Sequence, residues 1–170
     1  MLAERDNNLT RILEALEPAD PDQLLDRVKG YSTILSQSTA EKELHCSGMV
    51  RLARYLLRTA IYALSMKSGD SCFSVRQLAD RFNDPRLATL LASDPVVTGN
   101  PTMDLLAELI GRIEAIFGPL SVPEYPSLEA LSIARWEDDR NLAALAIRAS
   151  QDEDSEDENI AYSELPKVLL

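Results

Sequence analysis

The segment from Ser38 to Gly69, drawn as a helix, carries apolar residues around most of its circumference. A helix with so little polar surface can expose only a narrow stripe to water, so it belongs at the centre of a bundle. Ser38 and Glu41 have the spacing of a capping box, which starts a helix, and Gly69 marks the end. The pattern therefore predicts a long central helix over about residues 39–68.

Shorter helices are predicted on both sides of this central helix. Capping residues and prolines mark their starts, and glycine or proline marks most of their ends. The predicted spans are 2–17, 21–29, 75–82, 86–93, 102–117 and 128–150. No segment alternates apolar and polar residues for long enough to make a sheet. We therefore expect an all-α, single-domain, irregular bundle of six or seven helices around the central one.

The helix predicted over residues 102–117 has two distinct faces. Its large aliphatic residues share one face, while Asp104, Glu108 and Arg112 share the other. This pattern is typical of an amphipathic helix at the surface of a bundle.

Negative charge is concentrated near the end of the chain. The net charge is −11 at pH 7, and six carboxylates stand between residues 152 and 158. We expect a helical domain over residues 1–150 and a flexible acidic tail over 151–170 with an apolar terminus. The tail is either a docking segment for a basic partner or a solubilising linker, and its apolar terminus favours docking. Its candidate interaction residues are Asp152, Glu153, Asp154, Glu156, Asp157, Glu158, Tyr162 and Leu165.

The overall charge and the cysteines bear on partner and location. A negative chain repels phosphate backbones and anionic lipids, so we expect a protein partner rather than a nucleic acid or a membrane. No stretch approaches the roughly 20 apolar residues of a membrane helix. Helical bundles often pair through a leftover apolar face, which adds a homodimer to the expectations. Cys46 and Cys72 lack CxxC spacing, and we expect reduced thiols in a cytoplasmic protein.

The central helix carries one polar stripe, which consists of Arg51, Arg54 and Arg58 and is flanked by Tyr55 and Tyr62. These arginines could bind an anion or single-stranded RNA, because guanidinium groups pair with phosphate and aromatic rings stack on bases. Alternatively, they neutralise carboxylates of neighbouring helices, which a chain of this charge supplies in number. The carboxylate that we expect to meet the stripe is Asp138 or Asp139.

A short string beside these carboxylates resembles a family signature. Residues Arg140 to Ala144 are similar to the RNxxxH signature of HEPN-domain proteins, which are helical bundles that include many ribonucleases. Leu145 stands where that family has its catalytic histidine. The resemblance implies a helical domain linked to RNA or nucleotides but without nuclease activity. It covers five or six residues, and we do not assign the chain to the family.

Residues that could carry catalysis are few. His45 is the single histidine, and with Glu41 it supplies too few ligands for a zinc or di-iron site. The sequence contains no glycine-rich phosphate loop. We expect neither a cofactor nor a metal, and no catalytic residue. The predicted function is a non-enzymatic protein–protein interaction module, such as a regulator, adaptor or assembly subunit. It would act through its helical faces and its C-terminal segment. The alternative is the degenerate HEPN-like, RNA- or nucleotide-linked domain.

Overall fold

The fold was analysed in a computed structural model, which describes residues 20–69, 75–92, 99–135 and 142–151. The described ranges contain no strand, and a short 3₁₀ turn (Thr33–Ser36) follows the first helix. The helices are α1 (Pro21–Ser32), α2 (Thr39–Leu44), α3 (Cys46–Lys67), α4 (Val75–Arg81), α5 (Pro85–Leu91), α6 (Met103–Phe117), α7 (Leu128–Ala134) and α8 (Leu142–Gln151). The predicted all-α class is confirmed. The helix predicted over 2–17 and the acidic tail beyond residue 151 lie outside the described residues.

Three of the predicted helix starts are confirmed by their caps. Asp20 accepts a hydrogen bond from the Asp22 amide at 2.9 Å, at the start of α1. Asp84 accepts from two amides in the first turn of α5. Ser127 accepts from the Ala130 amide at 3.1 Å, at the start of α7. In each case a short polar side chain satisfies amides that have no acceptor within the helix.

Among the predicted boundaries that differ from the structure, two have a clear physical reason. Gly30 does not end α1, which continues to Ser32 and then into the 3₁₀ turn, because Ile34 and Leu35 are drawn into the core there. Thr102, the first residue of the predicted span, is instead the cap of α6, because its hydroxyl accepts a hydrogen bond from the Leu105 amide at 3.2 Å. Tertiary burial in the first case, and a better placed hydroxyl in the second, decide where the helix ends or begins.

The long central helix exists, but the predicted span is divided at His45, which has φ −116° and ψ 29°. Ser38 does cap the first segment, α2, by accepting from the Glu41 amide. The Glu41 carboxylate, however, accepts a hydrogen bond from the Leu128 amide at 2.9 Å, at the start of α7. This contact ties α2 to another helix. This division, together with the end of α7 at Ala134, explains why the described ranges contain eight helices where six of the predicted spans fall.

Helix α3 lies inside the bundle as predicted. It packs most extensively against α1, α6 and α8, and also contacts α2, α4 and α5. One continuous apolar cluster surrounds it and includes residues of every other helix except α2. Its largest fully buried side chains include Met49, Leu56, Leu57, Leu90, Leu106, Leu109, Ile113 and Leu142. Among the described helices, none is both long and apolar enough to cross a membrane.

Candidate functional site

Two of the three arginines in the predicted stripe point their guanidinium groups at the end of α5. Arg54 is only 8% exposed, and its Nε donates a hydrogen bond to the Leu90 carbonyl at 3.1 Å. Arg58 donates from Nη2 to the Leu91 carbonyl at 2.8 Å. Both carbonyls belong to the last turn of α5, where carbonyl groups have no partner within the helix and the helix dipole favours a cation. The two side chains thus cap α5 from the central helix.

The remaining residues of the predicted stripe are Arg51, Tyr55 and Tyr62, which are all half-buried. Tyr55 packs against the small apolar cluster that Leu24 and Ala63 form between α1 and α3. Burial, and to a smaller extent the neighbouring Tyr31, raise the pKa of the Tyr55 phenol well above its usual value. Tyr55 is therefore a neutral packing residue at the contact between α1 and α3.

The carboxylates predicted to meet the stripe are not among the described residues. Asp138 and Asp139 lie outside the described residues, so the predicted contact with the arginines stays a prediction. The same holds for the tail residues Asp152, Glu153, Asp154, Glu156, Asp157, Glu158, Tyr162 and Leu165.

The structure reveals a surface that the sequence analysis missed. Leu44 at the end of α2 is 68% exposed, and Ile133 near the end of α7 is 67% exposed. Their two helices are joined by the hydrogen bond between Glu41 and the Leu128 amide. We call the exposed residues of these helices the α2–α7 surface. It comprises Thr39, Ala40, Glu43, Leu44, Glu129, Ile133 and Ala134.

The exposure of Ile133, unlike that of Leu44, could have been predicted from the sequence. In α7, Leu128 and Leu131 are buried and Ile133 falls on the opposite side of the helix, as a helical wheel would indicate. The exposure of Leu44 was not predicted, because Leu44 was assigned to an uninterrupted central helix, in which an apolar residue is expected to be buried.

Other exposed apolar side chains stand singly on separate elements. Phe82 follows α4 and is 44% exposed, and Val122 lies in the connector between α6 and α7 and is 84% exposed. Single apolar residues at a protein surface are ordinary. Helix α2 is different, because it buries no residue and yet its first turn is held by the Ser38 cap and by the hydrogen bond between Glu41 and the Leu128 amide.

A shallow depression of about 320 Å³ lies between α1, the end of α3 and the end of α6. Its lining residues are Asp22, Leu25, Asp26, Lys29, Leu64, Ile116 and Phe117. Asp22 is occupied by an ion pair with Lys67 at 2.7 Å, which is exposed to water. Within the described ranges, no three histidine, cysteine or carboxylate side chains are grouped as metal ligands would be. The depression is therefore lined by both charged and apolar side chains, and its lining residues do not form a group of metal ligands.

Charged residues of α6 that the sequence analysis assigned to open surface instead join α6 to α5. Glu108 accepts two hydrogen bonds from Arg86, at 2.8 and 3.1 Å, and Arg112 donates to Asp84. The hydrogen bond from Arg86 holds the pKa of Glu108 below its usual value. Desolvation on its own would raise the pKa of Asp84, but hydrogen bonds from Arg112 and from two backbone amides outweigh it and lower that pKa. These paired charges serve packing between helices.

Comparisons with known proteins were made at three levels, and no protein-family model, no curated protein and no solved structure matches the chain.

Proposed function

We propose that this chain is a non-enzymatic protein–protein interaction module, a regulator, adaptor or assembly subunit of the cytoplasm. Its partner binds the α2–α7 surface together with the acidic C-terminal segment. The observation that carries the proposal is the exposure of Leu44 and Ile133, two large apolar side chains on helices that are hydrogen-bonded to each other.

Helix α2 supports the proposal because it does nothing for the core. Most short helices in proteins are held by the apolar face that they bury, since isolated helices of this length are unstable in water. Helix α2 buries no residue and is held by the Ser38 cap and by the Glu41 carboxylate instead. A helix anchored by polar contacts, with its leucine turned to solvent, suits the presentation of that leucine to a partner.

The energetics of burial agree with this role. Burying a leucine or isoleucine side chain that was exposed stabilises a complex by about 1.5–3 kcal/mol. Two such side chains supply a useful part of the free energy of a transient complex, whose interface also needs a surrounding polar rim. Glu43 and Glu129 are exposed on the same two helices and could form part of that rim.

The RNA-linked alternative receives less support from the geometry. Arg54 and Arg58 donate hydrogen bonds to main-chain carbonyls of α5, so a phosphate at the stripe would have to compete with the packing of that helix. The net charge of −11 adds long-range repulsion. For these reasons we propose a protein partner.

The experiment compares the proteins captured from cells of the source organism by four forms of the chain. These are the wild type, a Leu44→Gln/Ile133→Gln double variant, a deletion of residues 152–170, and a Val122→Gln control. Val122 is as apolar and as exposed but belongs to neither helix. We expect one set of proteins to be captured by the wild type and the control and lost by the other two forms. Crosslinks from that set to α2 or α7 would complete the support.

Two results would contradict the proposal. One is identical capture by the wild type and the double variant, provided that both unfold with the same free energy, as exposed positions should allow to within about 0.5 kcal/mol. The other is salt-sensitive binding of a short single-stranded RNA that is abolished by Arg51→Gln. That second result would favour the RNA-linked alternative.

A further inference from the structure

We infer that α2 is a hinged segment that opens and closes while the rest of the bundle stays folded, and that Glu41 couples its position to the first turn of α7. The inference is independent of the proposed function, because it concerns the free chain. Three observations carry it. Helix α2 adds nothing to the apolar core, polar atoms at its two ends are buried without partners, and its Glu41 carboxylate binds the first amide of α7.

Apolar packing does not hold α2 in place. None of residues 39–44 is buried, and none belongs to the described apolar clusters or to the partly buried residues packed on them. An isolated helix of this length is unstable in water, so α2 depends on polar contacts. These are the Ser38 cap and the hydrogen bond that Glu41 accepts from the Leu128 amide at 2.9 Å. A segment with so few stabilising contacts is expected to open locally, well before the bundle unfolds.

Buried polar atoms at both ends of α2 favour its opening. Within the part of the chain that the structure describes, the Ser36 hydroxyl, the Gln37 amide nitrogen and His45 Nδ1 are buried and make no hydrogen bond. Gln37 as a whole is only 4% exposed. A buried polar atom without a partner carries a desolvation cost. Because these residues directly flank α2, movement of α2 lets water reach them and relieves that cost.

The backbone on either side of α2 permits this movement. Gln37, with φ −54° and ψ 163°, and His45, with φ −116° and ψ 29°, both lie outside the α-helical range. In an uninterrupted helix the Gly48 amide would donate to the carbonyl of residue 44, but it donates to the Ser150 hydroxyl at 2.9 Å. The start of α3 is therefore held by α8 and does not depend on α2. Gln37 and His45 are the two hinges.

The Glu41 carboxylate makes the position of α2 matter to α7. Leu128 is the first residue of α7, and its amide has no acceptor within that helix. Ser127 accepts from the Ala130 amide, and Glu41 accepts from the Leu128 amide. Opening of α2 takes this second acceptor away, so the first turn of α7 is weaker whenever α2 is open. A ligand that prefers one position of α2 would shift this equilibrium, and α7 would respond.

Native-state hydrogen exchange, followed by NMR on the full chain, tests the hinge. The amides of Lys42 and His45 donate within α2. We expect them to exchange at least about a hundredfold faster than amides in the middle of α3. Their exchange should be insensitive to urea below the unfolding transition, because local opening exposes little surface. Exchange at the rate and with the urea dependence of α3 would overturn the inference, since α2 would then open only when the whole bundle unfolds.

The variant Ser38→Ala tests the coupling without changing α7. Ser38 caps α2, so its loss should open α2 more often and speed exchange of the Leu128 amide about fivefold. Thr102→Ala is the matched control, because it removes a hydroxyl cap of the same kind from α6. It should leave the Leu128 amide unchanged. An unchanged Leu128 rate in Ser38→Ala would overturn the coupling between α2 and α7.

Two variants of Glu41 test its part in the device. Glu41→Ala should speed exchange in α2 and at the Leu128 amide about tenfold, because a hydrogen bond to a charged group is lost. Glu41→Gln keeps a side-chain acceptor and should have a smaller effect. Amides of α5 and α6 should exchange as in the wild type. A similar acceleration in all helices would show that Glu41 stabilises the whole bundle, and would overturn the inference.

Discussion

Ser150 and Gly48 form a tertiary helix cap: the hydroxyl of Ser150, at the end of the last described helix, accepts from the amide of Gly48 in the first turn of the central helix. The first hydrogen bond within that turn is donated by Met49 to the His45 carbonyl. The Gly48 amide would otherwise have no acceptor in its own helix. The same hydroxyl donates to the Ala146 carbonyl at 3.0 Å, which holds it in position.

Replacing this hydroxyl should therefore cost as much as removing an ordinary N-cap. We expect Ser150→Ala to lower the free energy of unfolding by about 1 kcal/mol. Urea denaturation followed by circular dichroism measures the change. Ser121→Ala, at an exposed position in the connector before α7, serves as the control and should leave the midpoint unchanged. Equal stability of Ser150→Ala and wild type would contradict the capping role.

Gly48 and Gly111 should respond in opposite directions to the same substitution. At Gly48, a Cβ would overlap the Ala146 carbonyl oxygen at 1.7 Å, so α3 and α8 would have to separate. We expect Gly48→Ala to destabilise the fold by about 3 kcal/mol or more. Gly111 lies inside α6 with nothing within 4 Å of its Cβ position. There the substitution should add about 0.5–1 kcal/mol, because alanine is the better helix former.

Thermal and urea unfolding of the two alanine variants, measured in parallel, test this contrast. The pair is informative because both variants add the same methyl group. Tolerance at Gly48 would mean that the contact between α3 and α8 is not as close as described, and a loss of stability at Gly111 would mean that the space beside that position of α6 is not open.

Arg54 should contribute to stability through the end of α5. Arg54→Met keeps much of the side-chain volume but leaves the buried Leu90 carbonyl without the Nε donor. We expect a loss of about 2 kcal/mol, within the range for hydrogen bonds to charged groups. Arg51→Met, at a half-buried position on the same stripe, is the matched control and should cost clearly less. Equal losses would show that the stripe acts as one unit rather than through the α5 cap.

Acid should weaken the contact between α5 and α6. The pKa values of Asp84 and Glu108 are both lowered in the folded state. Groups of this kind stabilise the fold above their unfolded pKa, near about 4, and lose that contribution as the pH falls through the lower folded pKa. The melting temperature should therefore be insensitive to these two groups near neutral pH and fall below about pH 4.

The variant Asp84→Asn separates the effect of the Asp84 charge on stability from the effect of the helix cap that Asp84 forms. Asparagine caps a helix about as well as aspartate, so the amides of Arg86 and Leu87 keep an acceptor while the pairing with Arg112 is lost. Melting temperatures recorded from about pH 7 to about pH 3 should fall less steeply for this variant than for the wild type. Asp104→Asn, on the exposed face of α6, should reproduce the wild-type profile. Identical pH profiles for all three proteins would refute the contribution of the Asp84 charge to the acid sensitivity of the fold.

Local signals in the sequence predicted most of the helices, and the physical reason is that capping and periodicity act over a few residues. Asp20, Asp84 and Ser127 each accept a hydrogen bond from an amide within three residues. The apolar circumference of residues 46–67 needs no knowledge of its neighbours to predict a buried helix. For the same reason Gly118, with φ of 82°, ended α6 where the sequence indicated.

The candidate site was much harder to predict, because it depends on groups that are distant in sequence. The predicted stripe was correctly recognised as polar, yet nothing local indicated that Arg54 and Arg58 would reach carbonyls more than 30 residues away. Leu44 is exposed on a helix that the Glu41 carboxylate joins to the Leu128 amide, 87 positions along the chain. A helical pattern of apolar residues indicates which side chains can be buried. The packing of the helices decides which of them are buried.

The sequence by itself determined that the chain is helical, which helix is innermost and where its negative charge is concentrated, since these follow from residue types and short-range spacing. The tertiary structure alone decided that the predicted central helix is divided at His45, that two arginines cap α5, and that Leu44 and Ile133 remain exposed on joined helices. A polar side chain takes whichever partner the fold brings within about 3 Å, and that choice is made by the packing of the whole bundle.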